Sequence, residues 1–194
     1  MPDSNKLTFG LSKVAFAVAT IAADGTATYA TPVENPGAIS LSMDPQGDLR
    51  PFRADNMDYY VFDDFTGYQG DLEVARFIDS VMSAIWHEAA ATGNAIKYEA
   101  TGLEAVHFAL LFEFKNDAKR TRHVFYNCVG TRPSVASATT GETIEPQTQT
   151  STITATPIYV SAISKNVIKA RCEEGDTAYS SWYTAVVQPT ASAQ

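Results

Sequence analysis

The sequence predicts a mostly β protein, either a β-sandwich or a barrel-like sheet, with one short flanking α-helix and long connecting loops. Apolar side chains occupy every second position from 106 to 114, the period of a strand with one buried face. Helical spacing occurs in one segment, where Val81, Met82, Ile85 and Trp86 form a single stripe. Short alternating segments between turn residues recur elsewhere, which favours one domain over residues 1–194.

Residues 105–129 predict a central β-hairpin, because a polar run at 115–120 separates two apolar segments. The predicted register places both apolar stripes on one side of the sheet. It pairs Phe108 with Cys128, Leu110 with Tyr126, Phe112 with Val124, and Glu113 with His123.

Similar patterns predict the remaining strands. A first hairpin over residues 13–29 turns at Asp24 and Gly25, and a short strand contains Ile39, Leu41 and Met43. Further strands are predicted over 57–65, 150–156 and 168–173. Residues 131–149 are predicted to be a connector, residues 1–11 an N-terminal arm and residues 189–194 a frayed C-terminal tail, while the core is closed by Trp182, Tyr183, Val186 and Val187.

Residues 44–56 are predicted to form a long loop, since two prolines, one glycine and five charges are unsuited to a central strand. The helix is predicted to begin at Asp79, whose carboxylate would cap the first turn, and to end before Gly93 and Asn94.

Composition limits the classes of function. The net charge of −8 argues against general nucleic-acid binding, which needs a basic surface. The two cysteines, Cys128 and Cys172, lie in apolar alternating runs and are expected to be reduced and buried.

Residues 14–23 have the length of a signal-peptide core. Their alternation and the following Asp24-Gly25 turn favour a strand, and whether they act as a signal stays open.

No catalytic, cofactor-binding or metal site is predicted, and the chain is not expected to be an enzyme. The three histidines, His87, His107 and His123, have no ligands at metal-binding spacing. A hydrolase using Asp63, Asp64 or Glu173 rests only on the presence of carboxylates.

Two clusters could form interaction surfaces. The basic cluster comprises Lys115, Lys119, Arg120 and Arg122. It is typical of a solvated hairpin tip that could meet a neighbour's carboxylates. The aromatic cluster of Tyr59, Tyr60 and Phe62 could stack on sugars, or could form core or subunit contacts.

Several segments, in order along most of the chain, resemble the major tail proteins, or tail tube proteins, of long-tailed bacteriophages with non-contractile tails. The resemblance lies in Ala54-Asp55-Asn56 with Tyr59-Tyr60, and in the segments 67–75, 108–114, 122–128, 131–134, 144–148 and 153–155.

This resemblance implies a tail tube fold and a structural virion protein that assembles into stacked hexameric rings. The tube would conduct DNA without specific binding, would contact a tape measure protein and tail terminator or tail tip proteins, and would be made in the bacterial host cytoplasm with no membrane partner. An early loop would contact the next ring, here through Asp48, Leu49, Arg50, Phe52, Arg53 and Asp55. Candidate lumen or subunit-contact residues are Asp71, Glu73, Glu113 and Glu142. The alternative function is a secreted or surface β-sandwich that binds carbohydrate.

Overall fold

The computed structural model describes residues 7–139 and 146–191, and within them the chain is mostly β, with 47% strand and 8% helix. The predicted fold class is confirmed. The strands of the described residues are β1 Leu11–Ile21, β2 Ala27–Tyr29, β3 Val33–Glu34, β4 Ala38–Gln46, β5 Leu49–Ala54, β6 Met57–Asp63, β7 Gly67–Val74, β8 Ala89–Ala90, β9 Lys97–Tyr98, β10 His107–Phe114, β11 Arg122–Gly130, β12 Gln149–Thr156, β13 Ile158–Val160, β14 Lys165–Val167 and β15 Lys169–Cys172. Helix α1 is Asp79–Trp86, and two 3₁₀ turns lie at Ser161–Ile163 and Tyr179–Ser181.

One antiparallel sheet organises the described residues, in the strand order β2-β1-β10-β11-β12-β7-β4. Two further strands join it from the side, β3 against β1 and β15 against β11. Strand β4, at one edge, also approaches β1 near the other edge, so the sheet is strongly curved. Such a sheet has an enclosed face and an outer face, in agreement with a sandwich-like or barrel-like arrangement.

The predicted central hairpin is β10 and β11, but most of its predicted register is wrong. Phe108 does face Cys128, as expected. A β-bulge between Phe108 and Leu110 then shifts the pairing by one residue, so that Leu110 faces Phe125 and Phe112 faces His123. Alternation along β10 and β11 sends side chains into cores on both faces of the sheet, and the bulge places Phe125 and Cys128, three residues apart, in the same core.

The inner core fills the concave side of the sheet and is covered at one end by α1. Its buried aromatic residues are Phe16, Phe77, Trp86, Phe108, Phe112 and Phe125. The outer core lies on the other face of β1, β10 and β11, beneath the C-terminal segment. It buries Leu111, Val124, Tyr126, Ile158 and Trp182. The expected contribution of Trp182 to the core is thus confirmed, and Tyr183, Val186 and Val187 pack beside it.

The helix forms where its apolar stripe predicted it, with Val81, Ile85 and Trp86 buried. The predicted cap is wrong. The carboxylate of Asp79 pairs with Lys97, and no side chain caps the helix at Ile78.

Residues distant in sequence bind the free amides just before the helix. The backbone N–H of Ile78 donates to Oδ1 of the buried Asn35 at 2.9 Å, and that of Phe77 donates to Oε1 of Gln149 at 2.7 Å. The helix ends at His87, in the left-handed region with φ 59°, well before the predicted terminator Gly93. Tertiary contacts therefore bind the amides before the helix, while a local left-handed turn at His87 ends it.

The first hairpin and the burial of both cysteines are as expected. Strands β1 and β2 turn through residues 22–26, where Gly25 has φ 82°. Cys128 and Cys172 are buried and are not bonded to each other. Burial raises the pKa of both thiols, because a thiolate loses hydration in an apolar setting. The strands predicted at 150–156 and 168–173 are β12 and β15.

Candidate functional site: a projecting β-ribbon and an acidic sheet face

Residues 47–66, here called the ribbon, form a two-stranded projection and not the predicted loop. Strands β5 and β6 pair from Leu49 opposite Asp63 to Ala54 opposite Met57. Asp55 and Asn56 close the tip, both with positive φ, as a two-residue type I′ turn requires. At the base the ladder continues toward β4 and β7, since the N–H of Thr66 donates to the carbonyl of Gln46 at 2.9 Å. Six residues of strand extend about 20 Å.

The sequence pattern concealed the ribbon because prolines and charges interrupt its alternation. Each strand of a two-stranded ribbon has an outer edge with no neighbouring strand. Pro51, which lacks a backbone N–H, therefore removes no hydrogen bond to a third strand. The Asp55-Asn56 pair between Ala54 and Met57 is the signal that could have identified it. The ribbon also joins the predicted long loop over residues 44–56 and the aromatic cluster of the predicted strand over residues 57–65 in one structure.

The ribbon exposes apolar side chains on both faces. The pairing places Phe52, Tyr60 and Phe62 on one side, here called the aromatic face, and the rings of Tyr60 and Phe62 lie 4.8 Å apart. Leu49 and Val61 lie on the opposite, aliphatic face. Leu49 is 70% exposed and Phe52 56% exposed. Clustered apolar exposure of this kind is typical of an interaction surface.

Charge on the ribbon is mostly negative. Both arginines pair within the ribbon, Arg50 with Asp64 at 3.3 Å and Arg53 with Asp58 at 2.8 Å. Asp48, Asp55 and Asp63 have no cationic partner among the described residues. The predicted contact residues therefore share one projection, but Arg50 and Arg53 neutralise the ribbon's own carboxylates.

A second surface, here called the acidic face, covers the outer side of β4, β7 and β12. Cross-strand pairing aligns it in three rows: Ser40, Glu73 and Thr150; Ser42, Asp71 and Thr152; and Asp44, Gln69 and Thr154. The Thr152 hydroxyl donates to Asp71 at 2.6 Å, and the Ser40 hydroxyl donates to Glu73 at 3.1 Å. These nine positions contain three carboxylates and no basic residue, so the face is negative.

The two other candidate lumen residues are placed differently. Glu113 is remote from the acidic face and its side chain is only 16% exposed, paired with Lys13 at 3.1 Å and with Arg122 at 3.4 Å. Glu142 lies outside the described residues. The structure thus brings Asp71 and Glu73 together and separates Glu113 from them.

Most of the predicted basic cluster is paired within the chain. Lys119 contacts Glu173 at 3.0 Å and Arg120 contacts Glu174 at 2.9 Å. Arg122 pairs with Glu113 and lies 3.7 Å from the centre of the Tyr179 ring. Because of these contacts, Lys119, Arg120 and Arg122 are already paired and are not free to meet a neighbour's carboxylates.

The histidines are separated. His87 lies at the helix end, His107 contacts Oδ1 of Asn127 at 2.6 Å, and His123 stacks on Phe112 with ring centres 5.2 Å apart. Burial, aided by the nearby cation Arg171, lowers the pKa of His123. Within residues 7–139 and 146–191 no three His, Cys, Asp or Glu side chains cluster as metal ligands.

The carboxylates considered for hydrolysis do not converge. Asp64 is paired with Arg50, and Glu173 is paired with Lys119 at a separate place on the surface.

Over the described ranges, no helix has the length and apolarity needed to cross a bilayer.

Comparison with known proteins adds no relative. No protein-family model matches the chain, and no curated protein matches it. Its function must therefore be inferred from the resemblance of its segments and from its own surfaces.

Proposed function

We propose that this chain is a structural subunit that self-assembles into stacked rings, forming the tail tube of a long-tailed phage. The observation that supports the proposal most is the ribbon, a 20-residue projection with exposed apolar side chains on both faces. Such a surface would favour association in water, and burial against neighbouring subunits would remove the cost of exposing it.

In this proposal, the ribbon contacts the adjacent ring. Leu49 and Phe52 provide the apolar anchors, one on each face, so a ribbon inserted between subunits could bury both. The unpaired carboxylates of Asp48 and Asp55 would set orientation by pairing with basic groups across the boundary. Arg50 and Arg53 would keep the ribbon rigid through their pairs with Asp64 and Asp58.

The acidic face is proposed to line the lumen. A wall containing Asp44, Asp71 and Glu73 would repel DNA phosphates, so DNA would pass without adhering. Hydroxyl groups from β4 and β12 hold the two central carboxylates in place. The tape measure, terminator and tip proteins remain partners proposed from the resemblance, as does the location in the virion.

Carbohydrate binding is the second candidate, favoured by the exposed aromatic face. Sugar rings stack on such surfaces. The aliphatic face, with Leu49 and Val61, has no role in that function, whereas an assembly contact uses both faces. A glycan array probed with the monomeric protein would separate the two functions: specific glycan binding lost with Tyr60→Ala favours the alternative.

The proposal is tested with the purified full-length chain by sedimentation velocity over a wide range of concentration and salt, followed by negative-stain microscopy. Self-assembly predicts concentration-dependent rings or tubes with a central channel. A strict monomer under every condition would contradict it.

A further inference from the structure

A groove beside β15 has the size and the lining to receive an aromatic side chain. It is bounded by Leu41 and Met43 of β4, by Phe112, Phe114 and Phe125 of the central hairpin, and by His123, Val124, Lys169 and Ala170. Its volume is about 210 Å³. Apolar cavities of about 150 Å³ accept a benzene molecule, so this groove can hold one ring with space remaining.

The groove wall is an aromatic array. His123 stacks on Phe112 at an interplanar angle of 11°, and Phe114 meets His123 edge-on with ring centres 5.3 Å apart. Such rings offer both faces and edges to a further ring. Burial lowers the pKa of His123, so the wall is neutral at pH 7.

The rim of the groove is basic. Lys169 and Arg171 lie on the exposed side of β15, and neither has an ion-pair partner among the described residues. The Nζ atom of Lys169 lies 4.4 Å from the centre of the Tyr68 ring. The rim therefore offers two positive charges beside an apolar cleft.

The ribbon has the complementary properties. Its aromatic face presents Phe52, Tyr60 and Phe62. Asp48 at its base and Asp55 at its tip have no cationic partner in the described part of the chain, whereas Asp63 pairs opposite Leu49 on the aliphatic face. The ribbon of the same chain does not fill the groove, since its side chains are exposed along both strands.

We propose that the groove between β4 and β15 receives the aromatic face of the ribbon from a second copy of this chain, with Lys169 and Arg171 meeting the ribbon's unpaired carboxylates. This inference rests on the proposed function and specifies the partner surface within it. Donor and acceptor surfaces differ, so the contact is head-to-tail. A contact of that kind propagates into rings or open filaments, whereas a two-fold contact would end in a dimer.

The direct test replaces Phe62 or Tyr60 with the photoreactive residue p-benzoylphenylalanine in the full-length chain. After irradiation of the assembled protein, mass spectrometry should find cross-links to peptides covering residues 41–43, 109–125 or 165–171 of another copy, the segments that bound the groove. Cross-links confined to another ribbon, or to other parts of the surface, would overturn the groove while leaving self-assembly intact.

A charge variant gives an independent test. Lys169→Glu should raise the concentration needed for assembly at least about tenfold, because a close charge pair at an interface contributes more than one factor of ten. The matched control is Lys115→Glu on the hairpin tip, which should assemble as the wild type does, because Lys115 is exposed and lies outside the groove. Equal assembly of both variants would contradict the proposal.

Complementation separates the groove from the proposed function. Lys169→Glu retains an intact ribbon, and Phe52→Ala/Phe62→Ala retains an intact groove, so an equimolar mixture should form discrete 1:1 complexes by sedimentation. Wild-type tubes without these complexes would refute the groove alone. A wild-type chain that never associates would refute the groove and the tube together.

Discussion

Replacement of Leu49 and Phe52 by alanine should disable assembly while leaving the subunit folded. Complete burial of a Leu or Phe side chain is worth about 1.5–3 kcal/mol. Since 70% of Leu49 and 56% of Phe52 remain exposed in the single chain, burial by a neighbour would contribute about 1–2 kcal/mol for each residue, or roughly 2–4 kcal/mol for the pair. Each 1.4 kcal/mol is about a factor of ten, so the critical concentration should rise roughly 30- to 1,000-fold.

The folded subunit should scarcely respond, because substitutions on an exposed surface change the free energy of unfolding by about 0.5 kcal/mol or less. The assay is sedimentation of wild type and variant across concentration, with thermal unfolding of each monomeric fraction. The matched control is Ile96→Ala/Leu103→Ala, which truncates two apolar residues exposed to 59% and 51% outside the ribbon. Assembly of the ribbon variant at the wild-type concentration, or an unfolded monomer by circular dichroism, would contradict a role of Leu49 and Phe52 as interface anchors.

Three further predictions concern the subunit. Burial lowers the folded-state pKa of His123 below its usual 6.5, so the unfolded chain binds the proton first as pH falls, and the free energy of unfolding should decrease below pH 6.5. His123→Phe should reduce that decrease. Melting curves of the variant that follow the wild type from pH 7 to 5 would contradict this prediction. Cys128 and Cys172 are buried with raised thiol pKa values, so native protein should resist thiol labelling that unfolding permits; rapid native labelling would be contrary evidence. Gly70→Ala should lower the free energy of unfolding by about 1–3 kcal/mol, because a Cβ there would overlap the backbone of β4, whereas Gly93→Ala meets open space and should be neutral; equal melting temperatures would contradict this.

The sequence was informative where neighbouring residues determine structure. Alternation identified the central hairpin, and the apolar stripe identified α1, because each pattern reflects burial of one face. The register failed at the bulge after Phe108, since an extra residue in a strand leaves no mark in an apolar run whose two faces are both buried. The helix cap failed for a different reason: Asn35, just after β3, and Gln149, at the start of β12, bind the amides before the helix although both are distant in sequence.

The candidate surfaces show a similar division. Leu49 and Phe52 were predicted as residues that contact the next ring, and the structure leaves both exposed. Their arrangement on opposite faces of a ribbon depends on pairing with β6, which prolines and charges had concealed. The acidic face could not be anticipated, because Asp71 and Thr152 lie 81 residues apart and meet only through the β7 and β12 ladder.

Cryo-electron microscopy of the assembled full-length chain would locate the ribbon and the acidic face within the assembly. We expect a tube of stacked rings, with each ribbon crossing to the adjacent ring and the acidic face of β4, β7 and β12 lining the channel. A map in which the ribbons point into solvent, or in which the channel wall is basic, would contradict it.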